Sequence, residues 1–277
     1  MVDGIVYTGG GHAERKQDMY LVFKYDAGKD QWATLRPCPS RVFGLGHLSG
    51  KLIAAGGMIR DKVTGNVYSF HPDCEGWKKV PVPPMPTPRF RATVISCKLG
   101  IAVCGGVEEN NSASDKVEVL RAESSQWFTA DCLPIPCCIM KPAMVGNICY
   151  LVGGYSSWRP CTPTNYIMCA SLANLFAPSS TGSVWQLLPE NLPYNRPVAA
   201  GLGGLLLAIG GWDKETATDG VFAYSSTTTS WVKIGNLPLS HRAGGAVTLP
   251  SGEVMVVGGI HNERDSLSTV LLVSLQA

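Results

Sequence analysis

Short apolar runs recur along this 277-residue chain, and each run ends in a pair of glycines. With their glycines, the six runs occupy residues 6–10, 53–57, 102–106, 151–154, 208–211 and 256–259. Apolar runs of this length without polar alternation predict short strands that are buried on both faces. Glycines at the end of such a strand are typical of a bulge or of a close approach between two backbones.

The glycine pairs return about every 50 residues, a period that indicates a blade-by-blade repeat architecture. In most repeats a large apolar residue precedes a Trp by seven positions, a Leu/Pro-rich segment follows, and an Arg precedes the next apolar run. The apolar residues and their tryptophans are Tyr25 with Trp32, Phe70 with Trp77, Leu120 with Trp127, and Tyr224 with Trp231. We therefore expect four strands per repeat, with the glycine run as an inner strand and the Trp at the start of the outer strand.

This order of apolar run, Gly-Gly, aromatic residue, Trp, Leu-Pro and Arg resembles the kelch repeat, and the resemblance extends over nearly the whole chain. It implies an all-β fold, a six-bladed β-propeller with four-stranded blades, as a single domain over residues 1–277. The signatures of the rival WD repeat do not recur, because Trp212-Asp213 occurs once and stands directly after a glycine pair.

Three repeats depart from this pattern. The fourth is longer, with 57 residues from Gly153 to Gly210, and we expect an inserted loop over residues 173–183. It also lacks the Arg, and the segment 139–142, which includes Lys141, stands in its place. Repeat one lacks its innermost strand and repeat six its outer strand, so the predicted ring misses two strands at the seam between the termini. Either the chain is part of a longer protein whose upstream segment closes the ring, or the seam is open; unpaired strand edges favour the first interpretation.

Composition excludes several classes of function. The net charge is only +2 and no Lys/Arg block occurs, which argues against nucleic acid as a partner. No leader sequence and no apolar segment of ~20 residues is present, which argues against a membrane partner. The ten cysteines include no CxxC pair and several lie in apolar runs, so we expect free thiols and a cytoplasmic location, with the nucleus as an alternative. The five histidines lack metal-ligand spacing, and neither a metal nor a cofactor is expected.

Arginines near the starts of the innermost strands are the candidate binding residues. The resemblance implies that arginines at this position hold acidic side chains of a partner at the mouth of the propeller, because a guanidinium suits bidentate capture of a carboxylate. The expected binding residues are Arg41, Arg89, Arg91, Arg196 and Arg242, together with Arg60, Trp158 and Arg159 in the loops after the glycine pairs. In the alternative interpretation the arginines bond to carbonyls or carboxylates of neighbouring blades, and Trp158 folds back onto its own loop.

The sequence favours a non-catalytic protein–protein interaction module that binds an acidic or polar segment of a partner protein or peptide. In related proteins such a module is fused to a BTB or F-box region and recruits substrates to a ubiquitin ligase. These 277 residues contain neither region, so an adaptor role is implied by the resemblance alone. The alternative is an epimerase or mutarotase of a small acidic carbohydrate on the same scaffold, which would need a carboxylate-clamping Arg and a channel-lining acid or base.

Overall fold

The computed structural model describes residues 1–2, 4–9, 20–70, 76–177, 183–225, 227–261, 265–266 and 270–274. Nearly all regular structure in these ranges is β-strand, and the single helix there, α1 (Leu172–Leu175), is one turn long. The predicted all-β class is therefore confirmed. The chain divides into two compact units, the first made of Met1–Ile139, Ser157–Pro160 and Asn174–Ser183, the second of Met140–Ser156, Cys161–Ala173 and Val184–Ala277.

The first unit holds three antiparallel sheets, in each of which the strands follow one another in chain order. The first sheet consists of β1 (Val6–Gly9), β2 (Val22–Asp26) and β3 (Gln31–Thr34). The second consists of β4 (Gly44–Leu48), β5 (Lys51–Ala55), β8 (Val67–Phe70) and β9 (Lys78–Lys79), with a hairpin of β6 (Met58–Ile59) and β7 (Lys62–Val63) between β5 and β8. The third consists of β10 (Thr93–Cys97), β11 (Gly100–Cys104), β12 (Val117–Arg121) and β13 (Trp127–Ala130).

The remaining three sheets follow the same plan. The fourth consists of β14 (Lys141–Val145), β15 (Ile148–Val152), β18 (Ile167–Ser171) and β19 (Gln186–Leu187), and the strands β16 (Tyr155–Ser157) and β17 (Thr162–Pro163) pair separately. The fifth consists of β20 (Val198–Leu202), β21 (Leu205–Trp212), β22 (Ala217–Ser225) and β23 (Ser230–Asn236). The sixth consists of β24 (Gly245–Thr248), β25 (Val254–Val257) and β28 (Val270–Val273), with a hairpin of β26 (Ile260–His261) and β27 (Asp265–Ser266).

The first and sixth sheets have three strands each within the described residues, and the other four have four. Among the described residues, the glycine run β1 is the edge of the first sheet and no innermost strand pairs with it, as the sequence predicts. In the described part of the sixth sheet, β28 is the outer edge and no Trp-bearing strand pairs with it, again as predicted. An insertion is expected over residues 173–183. The helix α1 contains its first residues, and residues 178–182 lie outside the described part of the chain.

Each core cluster lies between two successive sheets, which explains why the inner strands are apolar on both faces. In the first unit, Ile53 and Val67 of the second sheet share a cluster with Val94 and Ile101 of the third. In the second unit, apolar residues of the fifth sheet pack with Val254 and Val256 of the sixth. Sheet-on-sheet packing of this kind buries both faces of an inner strand and leaves the connecting loops at the surface.

The recurring Trp lies within one residue of the start of the outer strand of its sheet, close to where the sequence predicts it. Trp32 stands directly across from Tyr25, and their ring centroids lie 5.0 Å apart. The indole N–H of Trp77 donates to the carbonyl oxygen of Arg36, which follows the first sheet, over 2.9 Å. Trp127 donates in the same way to the carbonyl of Pro83, after the second sheet, also over 2.9 Å. In these two repeats the Trp thus bonds to the segment that follows the preceding sheet, whereas the indole N–H of Trp231 has no hydrogen-bond partner among the described residues.

The glycine pairs allow the backbones of neighbouring sheets to meet. Gly57 has a φ of 97°, and its N–H donates to the carbonyl of Arg89 over 2.9 Å. Gly211 has a φ of 132° and donates to the carbonyl of His241 over 2.7 Å. These φ values suit glycine, and the close approach confirms the role that the sequence assigns to the pairs.

Candidate functional site

Three residues shortly before each innermost strand have a constant backbone geometry and form what we call the lead-in triplet. The triplets are residues 40–42, 89–91, 137–139, 194–196 and 241–243. The middle residue bridges to the loop that follows the glycine pair of its own sheet, as Arg41 does with Met58 and Arg242 with Ile260. The third residue has a positive φ between 48° and 62° in all five triplets, although none of these residues is glycine.

The third residues are also linked to one another by backbone hydrogen bonds between neighbouring sheets. In the first unit the N–H of Arg91 donates to Val42 over 2.9 Å, and that of Ile139 donates to Arg91 over 3.1 Å. In the second unit the N–H of Ala243 donates to Arg196 over 3.1 Å. The unusual backbone conformation is therefore fixed by main-chain bonding, and the side chain at this position is not needed for it.

The single arginine position inferred from the sequence corresponds to three different positions of the triplet. Arg89 is a first residue, Arg41 and Arg242 are middle residues, and Arg91 and Arg196 are third residues. Because the chain turns at the third residue, a shift of one or two positions changes the environment of the guanidinium completely.

Arg89 is fully buried and bonded to its own unit. Its Nη1 lies 2.5 Å from Oε2 of Glu118, and its Nη2 donates to the carbonyl of Val103 over 2.8 Å. The other carboxylate oxygen of Glu118 accepts the N–H of Thr87 over 2.9 Å. Val103 and Glu118 lie on β11 and β12, in the same sheet that Arg89 leads into, so this arginine bonds within its own blade and not to a neighbouring one. With its carboxylate partner already in place, Arg89 is not part of the candidate site.

The middle-position arginines contact the loops beside them. Arg41 is half-buried and forms an ion pair with Asp61, which occupies the turn of the β6–β7 hairpin together with the exposed Arg60. Arg242 is 9% exposed, and its guanidinium carbon lies 5.4 Å from the centroid of Trp212. Both arginines hold a loop against the lead-in triplet, and Arg60 extends from the tip of its hairpin.

Arg91 and Trp158 form the most prominent aromatic contact of the candidate residues, in the first unit. The guanidinium carbon of Arg91 lies 4.1 Å from the centroid of the Trp158 ring, and Phe90 meets the same ring edge-on at 6.4 Å. Arg91 and Trp158 are half-buried, and the neighbouring Arg159 is exposed. We call Phe90, Arg91 and Trp158 the Arg91–Trp158 platform. Trp158 therefore contacts a lead-in triplet that is distant in sequence.

A second cationic group lies in the second unit and includes a residue that the sequence reasoning did not select. Arg196 lies over the ring of Tyr155 at 5.8 Å, and Lys141, at the start of β14, is its charged neighbour. Burial, together with the charge of Arg196, lowers the pKa of Lys141 to about 8. We call Lys141, Tyr155 and Arg196 the Lys141–Arg196 cluster. A lysine that begins an otherwise apolar inner strand is the signal that could have identified it.

His241 is a buried residue beside this cluster. Its Nε2 lies 2.5 Å from the carbonyl oxygen of Gly258 and therefore donates to it, and Nδ1 has no hydrogen-bond partner in the described part of the chain. Burial lowers the pKa of His241, with a smaller contribution from the charge of Lys141. The imidazole is therefore neutral at physiological pH.

We expect this buried histidine to make the protein less stable in mild acid. Its folded pKa lies below the unfolded value of about 6.5, so the unfolded chain binds more protons as the pH falls through that value. Stability is therefore retained above pH ~6.5 and decreases below it. Melting temperatures at pH 5.5 and 7.5 should differ more for the wild type than for His241→Gln. An identical difference in the two proteins would contradict this assignment.

Within the ranges that the structure describes, we find no metal-binding cluster, no disulfide and no helix that could span a membrane. No cluster of three or more His, Cys, Asp or Glu side chains could hold a metal ion there. The nine cysteines described are all free thiols. No helix among the described residues has the length and apolar character needed to cross a membrane.

Comparison with known proteins finds similarity to kelch proteins. A family model for the kelch motif matches residues 193–238. Kelch-like protein terF of Aspergillus terreus is 23% identical over 258 residues, which cover 86% of this chain and 54% of that protein. Kelch-like protein 25 of Xenopus tropicalis is 26% identical over 208 residues, which cover 68% of this chain and 34% of that protein. The chain thus spans about half the length of the first relative and about a third of the second.

A solved structure of YjhT matches the whole chain with a TM-score of 0.82 and covers 93% of that protein at 14% identity. At this identity the likeness shows the fold and not the function. It confirms the six-bladed β-propeller that the glycine period predicts.

Proposed function

This chain is a kelch-repeat β-propeller, and we propose that it is a non-catalytic protein-interaction module that binds an acidic or polar segment of a partner. The proposed contacts are the side chains that extend from the lead-in triplets and from the loops after the glycine pairs. They comprise Arg60, Arg91, Trp158 and Arg159 in the first unit and Lys141 and Arg196 in the second. Arg41, which is paired with Asp61, and Arg242, which is buried, are proposed to hold the adjoining loops in place.

The Arg91–Trp158 platform is the observation that carries the proposal. A guanidinium stacked on an indole ring is already ordered, so less side-chain entropy is lost when a ligand binds. Trp and Arg are also the residue types that contribute most to binding energy at protein interfaces. Both side chains are half-buried, which places them between solvent and the folded scaffold.

Uncompensated charge supports an acidic partner. Within the described residues, neither Lys141 nor Arg196 forms an ion pair with a carboxylate. Two neighbouring cations without a counter-ion attract an anionic group, and an arginine can hold a carboxylate through two parallel hydrogen bonds. By contrast, Arg89 has its carboxylate in Glu118 and has no need of an external one.

An adaptor role and a cytoplasmic location are part of the same proposal. Both kelch-like relatives are longer than this chain, and a substrate-recruiting adaptor role would depend on parts that the match does not cover. The free thiols of the described cysteines support a reducing location such as the cytoplasm.

A peptide array tests the platform directly. The probes are acidic peptides and matched peptides in which each Glu is replaced by Gln. We expect the protein to prefer the Glu series, and we expect Arg91→Ala and Trp158→Ala each to weaken that binding on the order of tenfold. Arg36→Ala removes an exposed arginine from the segment after β3 and is the matched control. Equal binding of the Glu and Gln series, or undiminished binding by a folded Arg91→Ala variant, would reject the proposal.

One observation favours the enzymatic alternative as a second candidate. The second unit brings the cations Lys141 and Arg196 near the neutral imidazole of His241, and an epimerase of a small acidic sugar needs a carboxylate clamp beside a base. Nuclear magnetic resonance of sugar acids incubated with the protein would reveal accelerated anomer exchange. Exchange at the rate of the buffer alone would exclude this candidate for the sugars used.

A further inference from the structure

The β6–β7 hairpin is bonded to the scaffold at its base. The N–H of Arg41 donates to the carbonyl of Met58 over 3.0 Å, and the N–H of Met58 donates to the carbonyl of Arg41 over 2.9 Å. Gly57, which precedes the hairpin, donates to the carbonyl of Arg89 over 2.9 Å. Since Arg89 begins the lead-in triplet that carries the Arg91–Trp158 platform, the hairpin and the platform share one main-chain support in the first unit.

The tip of the hairpin is a turn of only two residues. Ile59 pairs with Lys62, so Arg60 and Asp61 alone reverse the chain. Their φ values are 48° and 63°. Positive φ at both positions suits the right-handed twist of a short hairpin, and Gly, Asn and Asp are the residues that usually provide it. An arginine in this conformation is uncommon, so residue preference alone does not hold the turn.

The ion pair between Arg41 and Asp61 holds the tip. The side chain of Arg41 is 11% exposed and its backbone N–H and C=O are both bonded to Met58, so its guanidinium is a fixed point. The carboxylate of Asp61 contacts that guanidinium. Arg60, the other turn residue, is exposed and forms no ion pair among the described residues. The hairpin is therefore held at its base and at its tip, and Arg60 is the cation that the turn presents to solvent.

We propose that Asp61 is a positioning residue, which orders the turn by pairing with Arg41 and so presents Arg60 to an anionic group of the partner. The acidic partner is that of the proposed function, on which this part of the inference rests. An ordered guanidinium loses less conformational entropy on binding than a mobile one. Charge alone predicts the opposite effect, because removing a carboxylate beside a cationic contact should strengthen the binding of an acidic ligand. The sign of the effect therefore distinguishes positioning from simple electrostatics.

Hydrogen exchange tests the ordering without any partner. Asp61→Asn removes the charge, and Asn tolerates a positive φ well, so a loss of order in this variant comes from the ion pair and not from the backbone. We expect the amides of residues 58–63 to exchange about fivefold faster, as the loss of an exposed ion pair allows. Arg41→Gln, which leaves the turn residues unchanged, should have the same effect.

The matched control is Glu123→Gln, which makes the same change in charge at an exposed residue between β12 and β13. It should leave the exchange of the hairpin unchanged, and Asp61→Glu, which keeps a carboxylate, should retain part of the protection. Exchange in Asp61→Asn equal to that of the wild type would overturn the inference whether or not a partner is known.

Peptide binding tests the consequence for recognition, with acidic peptides and their Glu→Gln counterparts as probes. We expect Asp61→Asn to raise the dissociation constant of the Glu series by about fivefold, and Arg60→Gln to weaken binding to a similar extent. Because Asp61 acts through Arg60, the double variant should bind no more weakly than Arg60→Gln alone. Tighter binding by Asp61→Asn, or additive losses in the double variant, would overturn the inference. If the wild type does not prefer the Glu series, the proposed function is rejected, and hydrogen exchange still decides whether Asp61 orders the turn.

Discussion

Replacing Glu118 with alanine is expected to lower the free energy of unfolding by about 3–5 kcal/mol. Glu118 and Arg89 are 1% and 0% exposed at their side chains, so removal of the carboxylate leaves a guanidinium buried without its counter-charge. The N–H of Thr87 loses its acceptor in the same variant. Urea or thermal unfolding of the purified protein measures the change.

Two further variants test whether the large loss comes from leaving a buried charge without its partner. Asp61→Ala removes the carboxylate partner of Arg41, but that carboxylate is 67% exposed, so the cost should be at most about 1 kcal/mol. The double variant Arg89→Met, Glu118→Leu removes both charges together and should recover part of the lost stability. A Glu118→Ala variant as stable as Asp61→Ala would show that the buried pair contributes nothing.

Gly57→Ala is expected to destabilise the protein by about 3 kcal/mol, through backbone strain and a steric clash together. At the observed φ of 97° an alanine is strained, and its Cβ would lie 2.5 Å from the carbonyl oxygen of Arg41. That oxygen belongs to the backbone and cannot move without disturbing the bridge between Arg41 and Met58. For a chain of this size the melting temperature should fall on the order of 10 °C.

The matched control for this substitution is Gly235→Ala in β23. No heavy atom lies within 4 Å of a Cβ added there, and the residue has no positive φ. Alanine should be tolerated at residue 235, with a change in melting temperature much smaller than at residue 57. Equal effects of the two substitutions would mean that close approach at the glycine pair is not what requires glycine.

The fold could be predicted from the sequence because its determinants repeat. The glycine pairs, the tryptophans and the Leu/Pro-rich segments return at a common period, so individually weak signals reinforce one another. For Trp77 and Trp127 the structure also shows a bond between two of these motifs, from the indole N–H to the segment after the preceding sheet. The same pattern, counted strand by strand, also predicts that the first and sixth sheets lack one strand each.

The candidate site was predicted less well because it depends on the lead-in triplet. The sequence segment from Arg89 to Arg91 contains two arginines, and only the structure shows that one is buried against Glu118 and the other lies over Trp158. The turn that separates them occurs at a positive φ that is occupied by Val42 and Ile139 in other triplets. Since β-branched residues rarely adopt this conformation, no residue-type signal marks the turn.

The role of Lys141 is hard to predict for a related reason. It stands in a segment that lacks the expected arginine, and its one signal, a charge at the start of an otherwise apolar strand, does not by itself indicate a role. The proximity to Arg196, which depends on how the fourth and fifth sheets pack in the second unit, cannot be deduced from spacing along the chain.

The third residue of the lead-in triplet also bears on how such a protein diversifies. Val42, Arg91, Ile139, Arg196 and Ala243 share one main-chain conformation despite side chains that range from a methyl group to a guanidinium. We therefore expect substitutions there to change the side chain presented at the proposed site while the scaffold stays intact. Mutational libraries confined to these five codons should yield many folded variants with altered selectivity, which makes the position a natural starting point for engineered recognition.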